Sequence, residues 1–462
     1  MTTTDLQRDF GPDSLKPQLA PLRDRRWVVA LSGGLDSVVL LDLVRRLHDQ
    51  GFVARLEALH INHGLSPHAD QWQQHCQTLC ERWRIPLQSV AVSLDREGAN
   101  LEEQAREARY RVMAERCGAG DGFLFAHHQQ DQEETLLYRL LRGGGVRGLA
   151  AIPRSRPLGA GLLLRPLLDY PRAQLLDYGR ARGLQWVEDE SNESLRFDRN
   201  YLRHRVLPPL RERWPDLGLR LSRQAQRMAD DSALLDELAL EDLESCAAVD
   251  TPTGPGLSAD NRLYWPPVAS RSRLRQRNLL RFWLRRLGVP VPGETITEQL
   301  LRLASSRVDA NPCVRWLGWE VRRYRGTLVV LRTRERPGEG GDLSLQAGEW
   351  PLANNGVLRV RRSSASGNPL SACLGSLRVA YRLEGEEAGS IRLAGRKGSK
   401  PFKKLMQEQG VPPWLRERWP LLMKGDALVA LPSIGVVEGY TAASGEEGVE
   451  LEWVPPKWDG VD

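Results

Sequence analysis

Between a short apolar run, Trp27 to Leu31, and a stretch with apolar residues at helical spacing, Val38 to Leu47, the chain reads Ser32-Gly33-Gly34-Leu35-Asp36-Ser37. Adjacent glycines let a backbone turn sharply and come close to an anion. A helix that starts directly afterwards offers free N–H groups and the positive end of its dipole, and both favour phosphate. Ser32 and Ser37 add hydroxyl donors. Asp36 on its own repels phosphate, and becomes useful if it holds Mg2+ beside one. The same residues also suit an ordinary strand–turn–helix corner, where Ser, Gly and Asp are common. They make neither a Walker loop, which needs Gly-Lys-Ser/Thr, nor a Gly-x-Gly-x-x-Gly dinucleotide turn.

A second polar set follows another strand-like run, Phe123 to Ala126. It contains His127, His128, Gln129, Gln130, Asp131, Gln132, Glu133, Glu134 and Thr135. If a helix starts near Asp131, this carboxylate can cap it. It can also share Mg2+ with Asp36, because loops after neighbouring parallel strands open on one edge. His127 can contact phosphate, polarise a carbonyl or move a proton; it can equally be a hydrogen-bonded core residue. A third set, His60, His63 and His68 with Cys76 and Cys80, lacks the Cys-x-x-Cys or His-x-x-x-His pairs usual in zinc sites. Cys76 and Cys80, four apart on a helix, read as one packed face.

The elements that must position these residues alternate. Strands are expected at Trp27 to Leu31, Arg55 to Ile61, Leu87 to Val92 and Phe123 to Ala126. Helices are expected at Val38 to Leu47, Asp70 to Arg84, from an Asn100–Glu103 capping box to Cys117, and from Asp131 to Leu141. Such alternation implies a parallel sheet in a layered α/β domain. Arg165 to Arg205 reads as a helical annex, Leu217 to Leu243 as a long amphipathic spacer helix, and Val249 to Ser258 as a loop. Arg271 to Leu287 reads as a basic helix and Val314 to Arg332 as strand-rich. Pro337 to Gly341 is a Gly-rich hinge, followed by strands and one helix near Pro401 to Gly410. The expected division is a catalytic domain over 1–215, a linker helix with a basic middle domain over 216–338, and a C-terminal domain over 339–462.

The chain of 462 residues carries a formal net charge of +6, which favours an anionic partner. Arg greatly outnumbers Lys, and its planar fork suits phosphates and base edges. Most Lys residues cluster near the C-terminus, where Arg396, Lys397, Lys400, Lys403 and Lys404 lie just before Trp414 and Trp419. Cations for phosphate with aromatic planes for stacking suit RNA; a solvated face over two core tryptophans is the plainer reading. Arg275 sits in a second basic run, Arg271 to Arg286. Six cysteines without a disulfide-type spacing, no secretory leader pattern and no long apolar run point to a cytoplasmic protein without a membrane anchor.

The hexapeptide resembles the PP-loop of the N-type ATP pyrophosphatases, which cleave ATP between the α and β phosphates and transfer AMP. Within that superfamily the chain resembles the lysidine synthases. The matching residues are the segment from His60 to Asp70, then His127, His128, Asp131, Gln132, Glu134, Thr135, Arg142, Gly143 and Gly145. Further matches are Arg165-Pro166-Leu167-Leu168, Arg199-Asn200-Tyr201-Leu202-Arg203, Trp214-Pro215, Lys403-Lys404-Leu405 and Val411 to Arg416. Glu103 to Tyr110 matches with its pattern shifted in detail. The likeness spans about 26–215 and again about 390–440. Many members have Asp where this chain has Gln130, an amide without metal or acid–base chemistry; His127 and Asp131 are unaffected.

The resemblance implies an α/β fold: a parallel-sheet PP-loop domain, like that of the adenine nucleotide alpha hydrolases, with two smaller C-terminal α+β domains that select tRNA. It implies ATP on Ser32, Gly33, Gly34, Leu35, Asp36 and Ser37, Mg2+ at Asp36 and Asp131, and catalytic roles for Asp36, His127 and Asp131. The substrates would be free lysine and tRNA(Ile) with a CAU anticodon, whose wobble cytidine is adenylated at O2 and then takes lysine. Arg199, Arg203, Arg275, Arg396, Lys397, Lys400, Lys403 and Lys404 are the expected tRNA contacts, and a homodimer fits the family. Two other readings are a PP-loop tRNA-thiolation enzyme, which usually needs reactive cysteines, and a non-catalytic tRNA-binding protein with an ATP-sensing domain.

Overall fold

The alternating half of the chain folds as a six-stranded, mostly parallel sheet. In the computed structural model the described residues are 10–64, 66–93, 101–188, 195–246, 259–306, 312–338, 340–363, 368–381 and 390–457. The expected Asn100 cap and the loop from Val249 to Ser258 lie outside them. Two units divide the chain, Met1–Leu234 and Leu235–Asp462.

In the first unit the order along the chain is β1 (Arg26–Ala30), α1 (Leu35–Asp49), β2 (Arg55–Asn62), α2 (Ala69–Trp83), β3 (Leu87–Ala91), α3 (Leu101–Glu115), β4 (Asp121–Leu124) and α4 (Gln129–Leu141). The spatial order is β3-β2-β1-β4-β6-β5. From β1 the chain winds outward through β2 and β3, then crosses back to place β4 on the other side of β1. The strand order therefore reverses between β1 and β4. Open α/β sheets bind ligands beyond the carboxyl ends of the strands at such a reversal. The two polar sets of the sequence follow β1 and β4, so topology brings them to one crevice.

Helix α1 buries a broad apolar face, with Val38, Val39, Leu40, Leu41, Leu43, Val44 and Leu47 completely buried, and carries Asp42, Arg45, Arg46 and Asp49 on the other. It is the central helix of this core. β1 and β4 lie close because Gly122 faces the Trp27 ring; a Cβ there would sit 2.3 Å from the indole. At the end of the sheet away from the crevice, Arg26 ties three strands together. Its Nε and Nη2 donate to Asp121 at 2.9 and 2.7 Å, and its Nη1 to Glu57 at 3.1 Å.

The hairpin of β5 (Ser155–Leu158) and β6 (Gly161–Leu164) was not anticipated from sequence. Both strands are four residues long and β5 contains Pro157, which lacks a ladder donor and is confined to an edge. β5 is that edge, and β6 continues the parallel sheet beside β4. The annex comprises α5 (Arg172–Ala181), α6 (Asp198–Tyr201), a π-helical turn over Leu202–Val206, and α7 (Leu207–Arg213); α8 (Leu217–Cys246) is the long helix.

In the second unit, β7 (Arg262–Tyr264), α9 (Arg273–Arg286), α10 (Glu294–Ala304), β8 (Cys313–Trp316), β9 (Trp319–Tyr324) and β10 (Thr327–Arg332) form an antiparallel sheet of order β7-β10-β9-β8 with two helices. A five-stranded and a four-stranded antiparallel sheet follow, with a helix over Phe402–Glu408. Trp414 and Trp419 are 7 % and 2 % exposed and belong to the core of this region. The stacking role considered for them is corrected: Trp419 Nε1 donates to the Pro432 carbonyl at 3.0 Å and its ring packs against Trp453 at 4.7 Å, while Arg322 lies over the Trp414 ring at 5.6 Å. No helix among the described residues is long and apolar enough to cross a membrane.

Candidate active site

The turn after β1 is shaped by its own small residues. Gly33 has φ +89, a conformation that costs glycine little and a side-chain-bearing residue more. A Cβ at Gly33 would lie 3.1 Å from Cys76 Sγ and 3.2 Å from Val187, so the loop sits directly on α2 and on the segment that carries Val187. The Val187 N–H donates to the Gly33 carbonyl at 3.0 Å. Ser37 Oγ donates to the Gly34 carbonyl at 2.9 Å and lies 3.1 Å from Ser32 Oγ. The two serines thus hold the loop closed on itself. Gly34 is the N-cap of α1 and supplies no side-chain oxygen, so the first-turn N–H groups are left for an anion. Gly33→Ala should leave the fold intact and weaken ATP binding by about tenfold or more, since it adds strain at the turn that must approach phosphate. Equal ATP affinity in equilibrium dialysis would contradict this.

Across the crevice, α4 begins at Gln129 with His128 as its N-cap. Asp131 is the third residue of the helix, and its Oδ2 accepts from the His128 backbone N–H at 2.9 Å. The capping role and the site role considered for Asp131 thus fall on one side chain. The His128 ring, 2 % exposed, lies between two carboxylates: Nε2 is 3.5 Å from Asp36 Oδ2, and Nδ1 is 3.6 Å from Asp131 Oδ2. Burial disfavours its charged form, but Asp131, Asp36 and Glu134 outweigh that and raise its pKa. Burial likewise works against the Asp131 carboxylate, and His128, His127 and Arg203 overcome it, holding its pKa below the usual carboxylate range. Sequence reasoning singled out His127 of the pair; His128 is the one that bridges Asp36 and Asp131.

Asp36 and Asp131 are therefore brought to one site but separated by an imidazole. Asp36 Oδ1 is buried without a hydrogen-bond partner, with Arg172 Nε 3.7 Å away. A carboxylate oxygen left open beside a phosphate loop fits Mg2+, which typically takes one or two carboxylates plus phosphate oxygens and water. Asp131 fits less well, because Oδ2 is committed to His128 and Oδ1 lies 3.9 Å from Arg203. No cluster of three or more metal-ligating side chains occurs among the described residues.

Next to this crevice is a cavity of about 540 Å³, lined by His127, Tyr110 and Thr135 and by a charged set that includes Glu103, Arg106, Glu107, Arg139, Arg156, Arg165 and Arg199. Arg139 and Arg165 have lowered pKa values, first from burial and then from neighbouring arginines. Such a cation-rich wall suits an anion. The cavity was not visible in the sequence, because its walls come from α3, α4, the hairpin and α6. The Glu103, Arg106, Glu107 and Tyr110 spacing on one helix face was the available signal.

The expected tRNA contacts fall into two groups. Arg199 is exposed and lines the cavity, and Arg396, Lys397, Lys403 and Lys404 are exposed. Lys400 instead pairs with Glu408 at 2.6 Å. Arg203 donates from Nε and Nη2 to the two oxygens of Glu134 at 2.6 and 3.0 Å. Arg275 does the same to Asp242 at 2.9 and 2.7 Å. Just before α9, Arg271 also faces Asp242; along the helix Arg273 and Arg277 bond Glu298, and Arg285 bonds Asp236. This run was expected to be a free cationic face; much of it is an ion-paired seam. Sequence reveals the charges on a helix but not the carboxylates packed against it.

A family model described as a PP-loop domain matches residues 11–210. Models described as the TilS substrate binding domain and the TilS substrate C-terminal domain match residues 266–329 and 377–453. A tRNA(Ile)-lysidine synthase of Salmonella typhimurium is 39 % identical over 444 residues, covering 94 % of this chain and 97 % of that one. A tRNA(Ile)-lysidine synthase of Pseudomonas syringae pv. tomato is 40 % identical over 463 residues, covering 99 % of each. Among solved structures, the U34-tRNA thiolase NcsA from Methanococcus maripaludis is similar with a TM-score of 0.41 and 18 % identity, over 47 % of this chain and 77 % of that one. A phosphate loop and a His–Asp set at one sheet reversal, in a chain related over nearly its whole length to such enzymes, lead to one conclusion: the chain belongs to the tRNA(Ile)-lysidine synthase family.

Proposed function

We propose that this protein is an ATP-dependent tRNA(Ile)-lysidine synthase. The observation that carries the reading is the meeting of the Ser32–Ser37 loop with the His127–Asp131 segment at one crevice, in a chain related end to end to lysidine synthases. ATP lies with its phosphates on the Ser32, Gly33, Gly34, Leu35, Asp36 and Ser37 turn. O2 of the wobble cytidine attacks the α-phosphorus, the bond to the β-phosphate oxygen breaks, and pyrophosphate leaves. The lysine amine then attacks C2, the C2–O2 bond breaks, AMP departs with that oxygen, and the amine loses a proton. Activation comes first because a carbonyl oxygen is a poor leaving group and AMP a good one.

Asp36 would hold Mg2+, with Asp131 anchoring His128 behind it. The ion supplies charge neutralisation for the departing pyrophosphate. Free lysine fits the neighbouring cavity by charge: Glu103 and Glu107 offer carboxylates to an ammonium, and Arg106 and Arg156 offer forks to a carboxylate. Arg199 borders the same cavity, and Tyr201 and Phe197, 52 % and 46 % exposed, offer planes for unstacked anticodon bases. Arg396, Lys397, Lys403 and Lys404 bind tRNA phosphates, whereas Arg203 and Arg275 act through Glu134 and Asp242. A homodimer, the assembly suggested by the family resemblance, is checked by light scattering.

The thiolation alternative is disfavoured by the cysteines. Cys76, under the phosphate loop, and its neighbour Cys80 are buried, and burial pushes both thiols up to about 12, far from the thiolate that sulfur transfer needs.

Pyrophosphate release from ATP tests the reading, with CAU-anticodon tRNA(Ile) and lysine each omitted in turn. Release that needs the tRNA supports it; release without tRNA overturns the substrate assignment. Replacing Lys397, Lys403 and Lys404 together by Ala should weaken tRNA binding and flatten its dependence on salt by about two to three in log–log slope, leaving ATP binding unchanged. An unaltered salt slope would remove this patch from the tRNA surface.

A further inference from the structure

His127 lines the cavity, and its ring is held by Phe125 of its own segment and by residues from other elements. Phe125 stacks on it with centroids 5.6 Å apart, and Tyr110 of α3 stacks in turn on Phe125 at 5.7 Å. Arg165, just after β6, lies over the Phe125 ring, and its Nε donates to His127 Nδ1 at 3.3 Å. Arg165 is fixed in place: it is 3 % exposed, and its Nη1 donates to the Pro153 carbonyl at 2.6 Å.

A guanidinium N–H donates and never accepts. Nδ1 of His127 must therefore present its lone pair, and the single ring proton sits on Nε2. A second proton at Nδ1 would set two donors against each other beside a fixed cation. Nε2 has no partner among the described residues. The charged groups facing the ring are Arg165, Arg106 of α3, His128 and Asp131. Burial acts first against the imidazolium; Asp131 offsets part of that, and the two arginines and His128 add to it, so the ring is pushed down to about 4.

We infer that Arg165 is a positioning residue that locks His127 as a neutral imidazole with its proton on Nε2, so that His127 serves the reaction as a fixed hydrogen-bond donor and not as a proton shuttle. A donor held in place in a partly dry site stabilises charge on a reacting oxygen without reorganising at the moment of reaction. The proton released by the attacking amine then goes to an acceptor other than His127. The inference rests on the lysidine reading for the identity of the reaction, but its structural half does not.

Nitrogen-15 NMR of the histidine-labelled full chain reads that half directly, with the His127 signals assigned by their loss in His127→Gln. The expected result is an unprotonated Nδ1 and a protonated Nε2 that persist from about pH 8 to about pH 5, where an ordinary histidine titrates. A ring that titrates near 6.5, or carries its proton on Nδ1, overturns the inference, whatever reaction the enzyme catalyses. In the lysidine assay, His127→Gln keeps an amide N–H donor near the Nε2 position and should stay within about tenfold of the parent, while His127→Ala loses about a hundredfold. Equal, severe loss in both, with ATP still bound, restores the proton-shuttle role and contradicts the lock. If the parent protein itself forms no lysidine, the lysidine reading fails while the NMR result still decides the tautomer.

Discussion

Asp36→Ala is expected to lower tRNA-dependent pyrophosphate release by about a thousandfold or more, while tRNA affinity changes by less than about twofold. The first half follows from position. Asp36 is in the first turn of α1, in the phosphate loop, with an oxygen open and the imidazole of His128 on the other. Removing it takes away the proposed metal ligand and one of the three carboxylates that raise the His128 pKa. The second half follows from separation of duties, since the proposed tRNA cations are Arg199 and the C-terminal cluster. Stopped-time pyrophosphate release and filter binding of tRNA measure the two quantities on one preparation. Parallel loss of both would mean that Asp36 holds the fold or the tRNA, and the division of labour would be wrong.

Arg203→Met should destabilise the protein by roughly 3–5 kcal/mol, the usual consequence of leaving a buried charge without its partner. Glu134 is 2 % exposed, and its two oxygens receive the Nε and Nη2 donors of Arg203. Arg203 comes from the π-helical turn, and such turns in an otherwise helical stretch often mark functional sites. Here the turn delivers Arg203 to Glu134 and to within 3.9 Å of Asp131. Adding Glu134→Gln to Arg203→Met removes the orphaned charge and should restore much of the stability in urea unfolding. A double variant as unstable as the single one would show that Arg203 works through packing of its stem and not through the ion pair.

Much of the fold was legible because its signals are periodic. Val38 to Leu47 shows a central helix by its apolar residues, and the strand-like runs beginning at Trp27, Arg55, Leu87 and Phe123 became β1 to β4. The phosphate loop was legible because glycine and serine spacing is local. What escaped the sequence is what depends on partners. Pro157 masked β5, whose edge position tolerates proline. Trp414 and Trp419 looked like stacking planes beside a lysine cluster, yet the sheets over them make them core. Arg275 looked like a phosphate ligand, yet Asp242, 33 residues earlier, takes its guanidinium. His128 hid behind His127, because which of two adjacent histidines turns toward Asp36 is set by the helix start at Gln129, and a start two residues later had been expected.

In the proposed reaction, lysine ends on the wobble cytidine of a CAU-anticodon tRNA(Ile) at the expense of ATP. Radiolabelled lysine incubated with the protein, ATP and that tRNA, followed by nucleoside digestion and mass spectrometry, tests it most directly. Label is expected in the tRNA only when all three are present, in one modified cytidine from the anticodon. Label that is absent, that appears without ATP, or that sits at the tRNA 3′ end would contradict it.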